Sequence, residues 1–280
     1  MDAVYSLMDM LLPLEALQFR FMKNAFLAIL LLTPLLGLLG TMAVNKQMAF
    51  FSDALGHSAL TGIGLGIVLG VSNDLISMLV FGIVWAVMIC RIRQTGAAST
   101  DTIISVFSST SVALGLIILA HGGSFAKYST LLIGDVLAVT QTDLLWLLLA
   151  LVLGGAAWMM MYNHLLLSAV NASLARSRGV KTQLVECAFV VLVAVAVMLA
   201  IRWVGVMLIN ALLILPAAAA RNVARNARQH AAMSVAIAVV CGVTGLLCAY
   251  AWDTSAGAAI VLCAAVCYAA SLGVRKLLRR

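Results

Sequence analysis

The chain is a succession of apolar runs, each about 17 to 22 residues long, separated by short polar breaks. A helix rises about 1.5 Å per residue and a bilayer's hydrocarbon core is about 30 Å thick, so each run has the length of one crossing. The runs are apolar all round, neither striped at a helical period nor alternating as barrel strands do. Only 10% of the residues are charged, against about 25% in ordinary soluble domains. The expected fold class is therefore all-α, a polytopic transmembrane helical bundle.

Hydropathy places spans at 24–44, 49–70, 74–90, 102–121, 142–161, 183–201, 204–220, 231–250 and 256–274. Pro216 lies inside the seventh of these and removes a backbone donor, so a broken or re-entrant helix there would reduce nine spans to eight. The longest polar stretch is the 163–183 connection, so residues 1–280 are expected to form one transmembrane domain. The first residues carry Asp2, Asp9 and Glu15 without the basic region of a secretory signal, so insertion is expected to rely on the spans themselves.

The net charge is +7. In a soluble protein that balance suggests nucleic acid, but here the basic residues fall between the apolar runs and report sidedness instead, so no nucleic-acid partner is expected. With the C-terminus cytoplasmic, alternation over nine spans puts thirteen of the seventeen basic residues on that side, among them Lys46, Arg91, Arg93, Arg176, Arg178, Lys181, Arg221, Arg225 and Arg228. Arg20, Lys23, Lys127 and Arg202 are left on the other face with Asp2, Asp9, Glu15, Asp74, Asp135, Asp143 and Asp253. That outer face is net acidic, which suits the handover of a cation. The six cysteines lie in or beside apolar runs, so packing rather than a disulfide framework is expected of them, and Met159-Met160-Met161 reads as lipid-facing or gap-filling.

Asp53 and His57 stand out within the apolar, glycine-rich run 49–70. A charge near the bilayer centre costs at least about 2.5 kcal/mol on insertion scales. Four residues along a helix return to nearly the same face, so the two side chains can meet one small ligand. Carboxylate oxygen with imidazole suits first-row divalent ions, but two ligands are not a closed site; water, another helix or a symmetry-related subunit must supply the rest. The bland reading is a helix-start Asp and a packed His satisfied by Ser52, Ser58 and Thr61. Gly62 and Gly66 form a small-xxx-small step that permits close helix approach.

Further candidates are weaker. Asn210 and Pro216 interrupt an apolar run, where freed carbonyls could line a cavity and Asn210 could line a pathway, or equally bond a neighbouring helix. Thr100 or Asp101 reads as an N-cap. In the 167–181 loop, Leu167, Val170 and Leu174 share one helical face, Arg176, Arg178 and Lys181 follow, and Gly179 is a natural stop. A short amphipathic helix docking into a partner groove explains this pattern, as does a helix lying on the lipid surface. The chain carries no G-x-x-x-x-G-K-[ST] phosphate loop, so any ATP hydrolysis belongs to another chain. Its histidines, His57, His121, His164 and His230, are spaced too widely for the H-E-x-x-H helix of a metalloprotease.

Several segments together resemble the metal-type permease of bacterial ATP-binding-cassette importers, the family that takes up zinc, manganese and iron(II). They are Gly37-Leu38-Leu39-Gly40-Thr41, Phe51-Ser52-Asp53-Ala54-Leu55-Gly56-His57-Ser58, Thr100-Asp101-Thr102 with Ala113-Leu114-Gly115, Ile133-Gly134-Asp135-Val136-Leu137, Val204-Gly205-Val206-Met207-Leu208, the 212–221 stretch LLILPAAAAR and Ser255-Ala256-Gly257-Ala258. The resemblance implies a pair of permease subunits, a homodimer with a second copy of the chain or a pseudo-symmetric pair, with two cytoplasmic ATPase subunits and an extracytoplasmic metal-binding protein, in the bacterial inner membrane. It implies no permanently bound cofactor, the transported zinc, manganese or iron ion being cargo. The family's Asp and His pair falls on Asp53 and His57. Its ATPase-coupling helix falls on 171–179, with Asn171, Leu174, Ala175, Arg176, Arg178 and Gly179. Two departures show: Asn171-Ala172 stands where the family has Asp-Pro, and Asp253-Thr254-Ser255-Ala256-Gly257 where it has an Asp-Pro-Ser-Gly turn. A rival expectation from the residues alone is a proton-coupled carrier in which Asp53 and His57 relay protons.

Overall fold

The structure, a computed structural model, describes residues 5, 6, 8, 15–121 and 134–278. Asp2, Asp9, Lys127, Ile133, Arg279 and Arg280, which entered the expectations above, lie outside the described residues. Those residues form helices α1 (Arg20–Asn45), α2 (Phe51–Val68), α3 (Asp74–Thr95), α4 (Thr100–His121), α5 (Gln141–Val170), α6 (Ala172–Ser177), α7 (Thr182–Val223), α8 (Ala227–Trp252) and α9 (Ala256–Leu278). Two 3-10 turns, Glu15–Gln18 and Val136–Ala138, complete them, and no strand occurs among the described residues.

Every expected span has a helix, but the crossings count differently. Seven described helices are long and apolar enough to cross a membrane, against the eight or nine expected. Two physical reasons account for the difference. Asp53, His57 and the run of Gly and Ser dilute the hydropathy of α2, which at 18 residues is about 27 Å long. The runs 183–201 and 204–220 are joined in the single 42-residue α7. The interruption in α7 falls at Gly205, with φ 75° and ψ 166°, rather than at Pro216, around which the helix continues. Only glycine reaches that backbone region freely, whereas a proline costs one hydrogen bond that a packed helix absorbs. Gly134, also at positive φ, lies against the Val204–Gly205 backbone, leaving no room for a Cβ.

Helix ends follow local chemistry. Asn73 Oδ1 accepts from Leu75 N and Ile76 N to start α3, and Gly96 at φ 70° ends it. At α4 the cap is Ser99, whose Oγ accepts from Thr102 N at 3.2 Å, so neither Thr100 nor Asp101 caps this helix. The helix already includes Thr100, leaving Ser99 as the flanking residue that can turn its side chain back.

The chain forms two compact units. The first comprises Met42–Leu132 and Gly154–Arg202. Here α2 packs against α3 and α4: Gly62 meets Met78 and Phe81, Gly66 meets Ser77, and Gly64 meets Ile118. Thr61 Oγ1 donates to the Ser111 carbonyl at 2.5 Å, pinning α2 to α4 beside Gly115. Phe81 stacks on Trp85 of α3, and Trp85 meets Phe107 of α4 edge to face.

The second unit comprises Met1–Thr41, Ile133–Leu153 and Trp203–Arg280. Ser234 Oγ donates to the Gly37 carbonyl at 2.7 Å, and Gly40 stands directly against the Leu213 carbonyl. Arg275 Nη1 donates to Asn222 Oδ1, whose amide donates to Ser271 Oγ at 2.9 Å. Large apolar side chains such as Ile117, Trp146 and Met160 remain exposed on the helices, as expected of surfaces that face hydrocarbon. Met159 and Met160 belong to that class.

Candidate functional site

Asp53 occupies the first turn of α2 and His57 follows one turn later. Their side chains meet, with Nε2 3.7 Å from Oδ2. From residue 51 to residue 64 every position is buried except these two. The Asp53 side chain is 43% exposed and that of His57 33%. The pair is thus not enclosed by its own chain; it forms a polar window in a helix that the fold otherwise covers. Asp53 also sits at the positive end of the helix, which offsets part of the cost of a carboxylate there.

Ser58 Oγ donates to the Leu55 carbonyl at 2.7 Å, Thr61 serves Ser111, and Ser52 Oγ is buried with no hydrogen-bond partner. A carboxylate oxygen and an imidazole nitrogen at this separation can close on one divalent ion with a small side-chain adjustment. Among the described residues no group of three or more His, Cys, Asp or Glu assembles. Asn210 lies in the second unit, half-buried on α7 five residues beyond the Gly205 break.

The 167–181 segment differs from the single amphipathic helix its pattern suggests. Leu167 and Val170 end α5, Asn171 is extended at φ −154°, and Leu174 belongs to the separate six-residue α6. Asn171 forces this break because its Oδ1 accepts from Ser173 N at 3.0 Å and Leu174 N at 3.1 Å, starting a new helix. Only Ala175 of α6 is buried, while Leu174, Arg176 and Arg178 are exposed. Gly179 at φ 78° ends the turn, and Val180 N returns to the Ala175 carbonyl at 3.0 Å. An open cleft of about 440 Å³ follows, lined by Arg176, Val180, Lys181, Thr182, Gln183 and Leu184. The segment is a small, basic, outward-facing knob.

Near it lies a network that the sequence did not announce. Lys46 Nζ is 2.7 Å from Glu186 Oε1 and 3.0 Å from Ser168 Oγ, and Arg93 Nη2 is 3.1 Å from Glu186 Oε2. These residues are 93 to 140 positions apart in the chain, beyond any periodic pattern. The only hint was Glu186 itself, a lone acid in an apolar run with basic residues on the same expected side.

The chain is 28% identical to the high-affinity zinc uptake system membrane protein ZnuB of Haemophilus influenzae, covering 92% of this chain and 99% of that one. It is 28% identical to the manganese import system permease protein ScaB of Streptococcus gordonii, over 90% and 91% of the two chains. Among solved structures it resembles PsaBC from Streptococcus pneumoniae in complex with Fab, with a TM-score of 0.79 at 27% identity, covering 97% of this chain and 95% of that chain. A family model, the ABC 3 transport family, matches residues 18–275, and the chain belongs to that family.

Proposed function

We propose that this chain is the permease subunit of an ATP-binding-cassette importer carrying a divalent first-row metal, zinc or manganese, across the bacterial inner membrane. Iron(II) also fits the chemistry of the pair. Zinc and manganese relatives supply the substrate class, and the observation that carries the site is the polar window of α2. Asp53 and His57 are partly exposed where every neighbour from 51 to 64 is buried. That exposure is what a waypoint needs: a passing ion reaches both groups, and the remaining ligands come from water or from the same pair on a second copy of the chain. Such a site binds transiently because it is incomplete within one subunit.

In this reading residues 1–280 act as a single transmembrane permease domain that performs no covalent chemistry. An extracytoplasmic binding protein delivers the ion, and a cytoplasmic ATPase engages Asn171, Leu174, Ala175, Arg176, Arg178 and Gly179. The C-terminus is cytoplasmic, and Asn210 is a pathway residue. The finer topology is eight or nine crossings, because α7 at about 63 Å is twice the length one crossing needs and breaks near its middle. Asp53→Asn and His57→Ala variants, expressed at wild-type level in cells lacking other importers, are expected to lose at least about tenfold in zinc or manganese uptake. Unchanged uptake in both variants refutes the waypoint. Uptake that persists without any ATPase supports a proton-coupled carrier instead.

A further inference from the structure

We propose that Cys90 and Cys187 are an oxidation site that forms a reversible disulfide and clamps α3 to the start of α7. The two sulfurs are 3.0 Å apart although the residues are 97 positions apart in the chain. Both thiols are free. Gln94 lies one turn after Cys90 and aims its amide at the pair, with Nε2 3.4 Å from Cys90 Sγ and 3.5 Å from Cys187 Sγ. The same Nε2 is 3.3 Å from the Gln183 carbonyl. One amide thus bridges both sulfurs and holds the two side chains next to each other. Arg93 lies three residues after Cys90, and its Nη1 is buried without a hydrogen-bond partner, so a spare cationic donor stands within one turn. Access differs between the partners: Cys90 is 1% exposed, whereas Cys187 is half-buried.

The oxidant is a peroxide. The Cys187 thiolate attacks one peroxide oxygen, the O–O bond breaks, and the departing hydroxide takes a proton to become water, leaving a sulfenic acid. The Cys90 thiol then attacks that sulfur, the Sγ–Sγ bond forms, and the thiol's proton passes to the expelled hydroxide, which leaves as a second water. Two thiols have lost two electrons and two protons, and one peroxide has become two waters. The sulfurs must close by about 1 Å to reach bonding distance, which is within side-chain rotation. A small thiol reverses the bond by exchange.

Cys187 lies in the second turn of α7, next to Glu186, and α7 begins three residues after Gly179. A covalent tie to α3 fixes the stretch through which any push on α6 must travel. The transport consequence rests on the permease function proposed above; the bond itself does not.

The test treats the purified full-length chain with hydrogen peroxide, alkylates the remaining thiols and maps the peptides by mass spectrometry. A linked Cys90 and Cys187 pair released by dithiothreitol is expected. Two alkylated thiols at peroxide levels that oxidise a control dithiol overturn the proposal, as does linkage only among Cys241, Cys248, Cys263 and Cys267. In cells, peroxide is expected to slow wild-type metal uptake about tenfold, reversibly, while Cys90→Ser and Cys187→Ser uptake is unaffected. Bond formation with unchanged uptake overturns the clamp. A chain that forms the bond yet imports no metal when reduced counts against the transport reading, not against the oxidation site.

Discussion

Replacing Glu186 by Gln keeps the side chain's volume and one acceptor oxygen but removes the only anion from the Lys46, Glu186 and Arg93 network. The side chains of Lys46, Arg93 and Glu186 are only 5%, 13% and 21% exposed, so solvent cannot substitute well for the lost charge. At 2.7 and 3.1 Å, each contact is worth about 5 to 6 kcal/mol of Coulomb attraction at an effective dielectric constant of about 20, before desolvation is subtracted. Removing one partner of such a buried pair typically costs about 3–5 kcal/mol, because a charge is left uncompensated. Glu186→Gln leaves two. The midpoint of thermal unfolding in detergent is therefore expected to fall by roughly 6–20 °C, taking about 2–4 °C per kcal/mol for a chain of this size. Adding Lys46→Met to the Gln variant removes one orphaned cation and is expected to recover part of the fall. A single variant within about 2 °C of wild type, or a double variant less stable than the single, refutes the reasoning.

Other perturbations have equally direct readouts. A Cβ at Gly40 would occupy the place of the Leu213 carbonyl, so Gly40→Ala is expected to cost about 1–3 kcal/mol in the same assay, whereas Gly273→Ala, with nothing within 4 Å, is expected to be neutral or slightly stabilising. Asn171→Ala removes the two cap bonds of α6 at a cost of about 1 kcal/mol and is expected to lower permease-stimulated ATPase activity, while Asn171→Asp keeps both acceptors and the activity. Thr61→Val deletes the bond to the Ser111 carbonyl in a fully buried site and is expected to cost about 1 kcal/mol, read as faster hydrogen exchange in α2.

The apolar lengths determined which stretches become helices, because spanning a bilayer requires a local property: enough consecutive apolar residues with their backbone bonds satisfied internally. All nine expected runs are helical for that reason. The stop at Gly179 was legible for a similar reason, since it depends on one residue and its nearest neighbours. The pairing of Asp53 with His57 also followed from helical spacing alone. What spacing could not decide was coverage. Only packing against α3 and α4 buries the rest of residues 51–64 and leaves those two side chains open. Pro216 carried the stronger breaker signal, yet the break falls at Gly205, where glycine's freedom to adopt positive φ coincides with the close approach of Gly134. The Lys46, Glu186 and Arg93 network and the Cys90 and Cys187 contact join residues 93 to 140 positions apart. Periodicity acts over a few turns, so partners at that separation are chosen only when whole helices pack side by side.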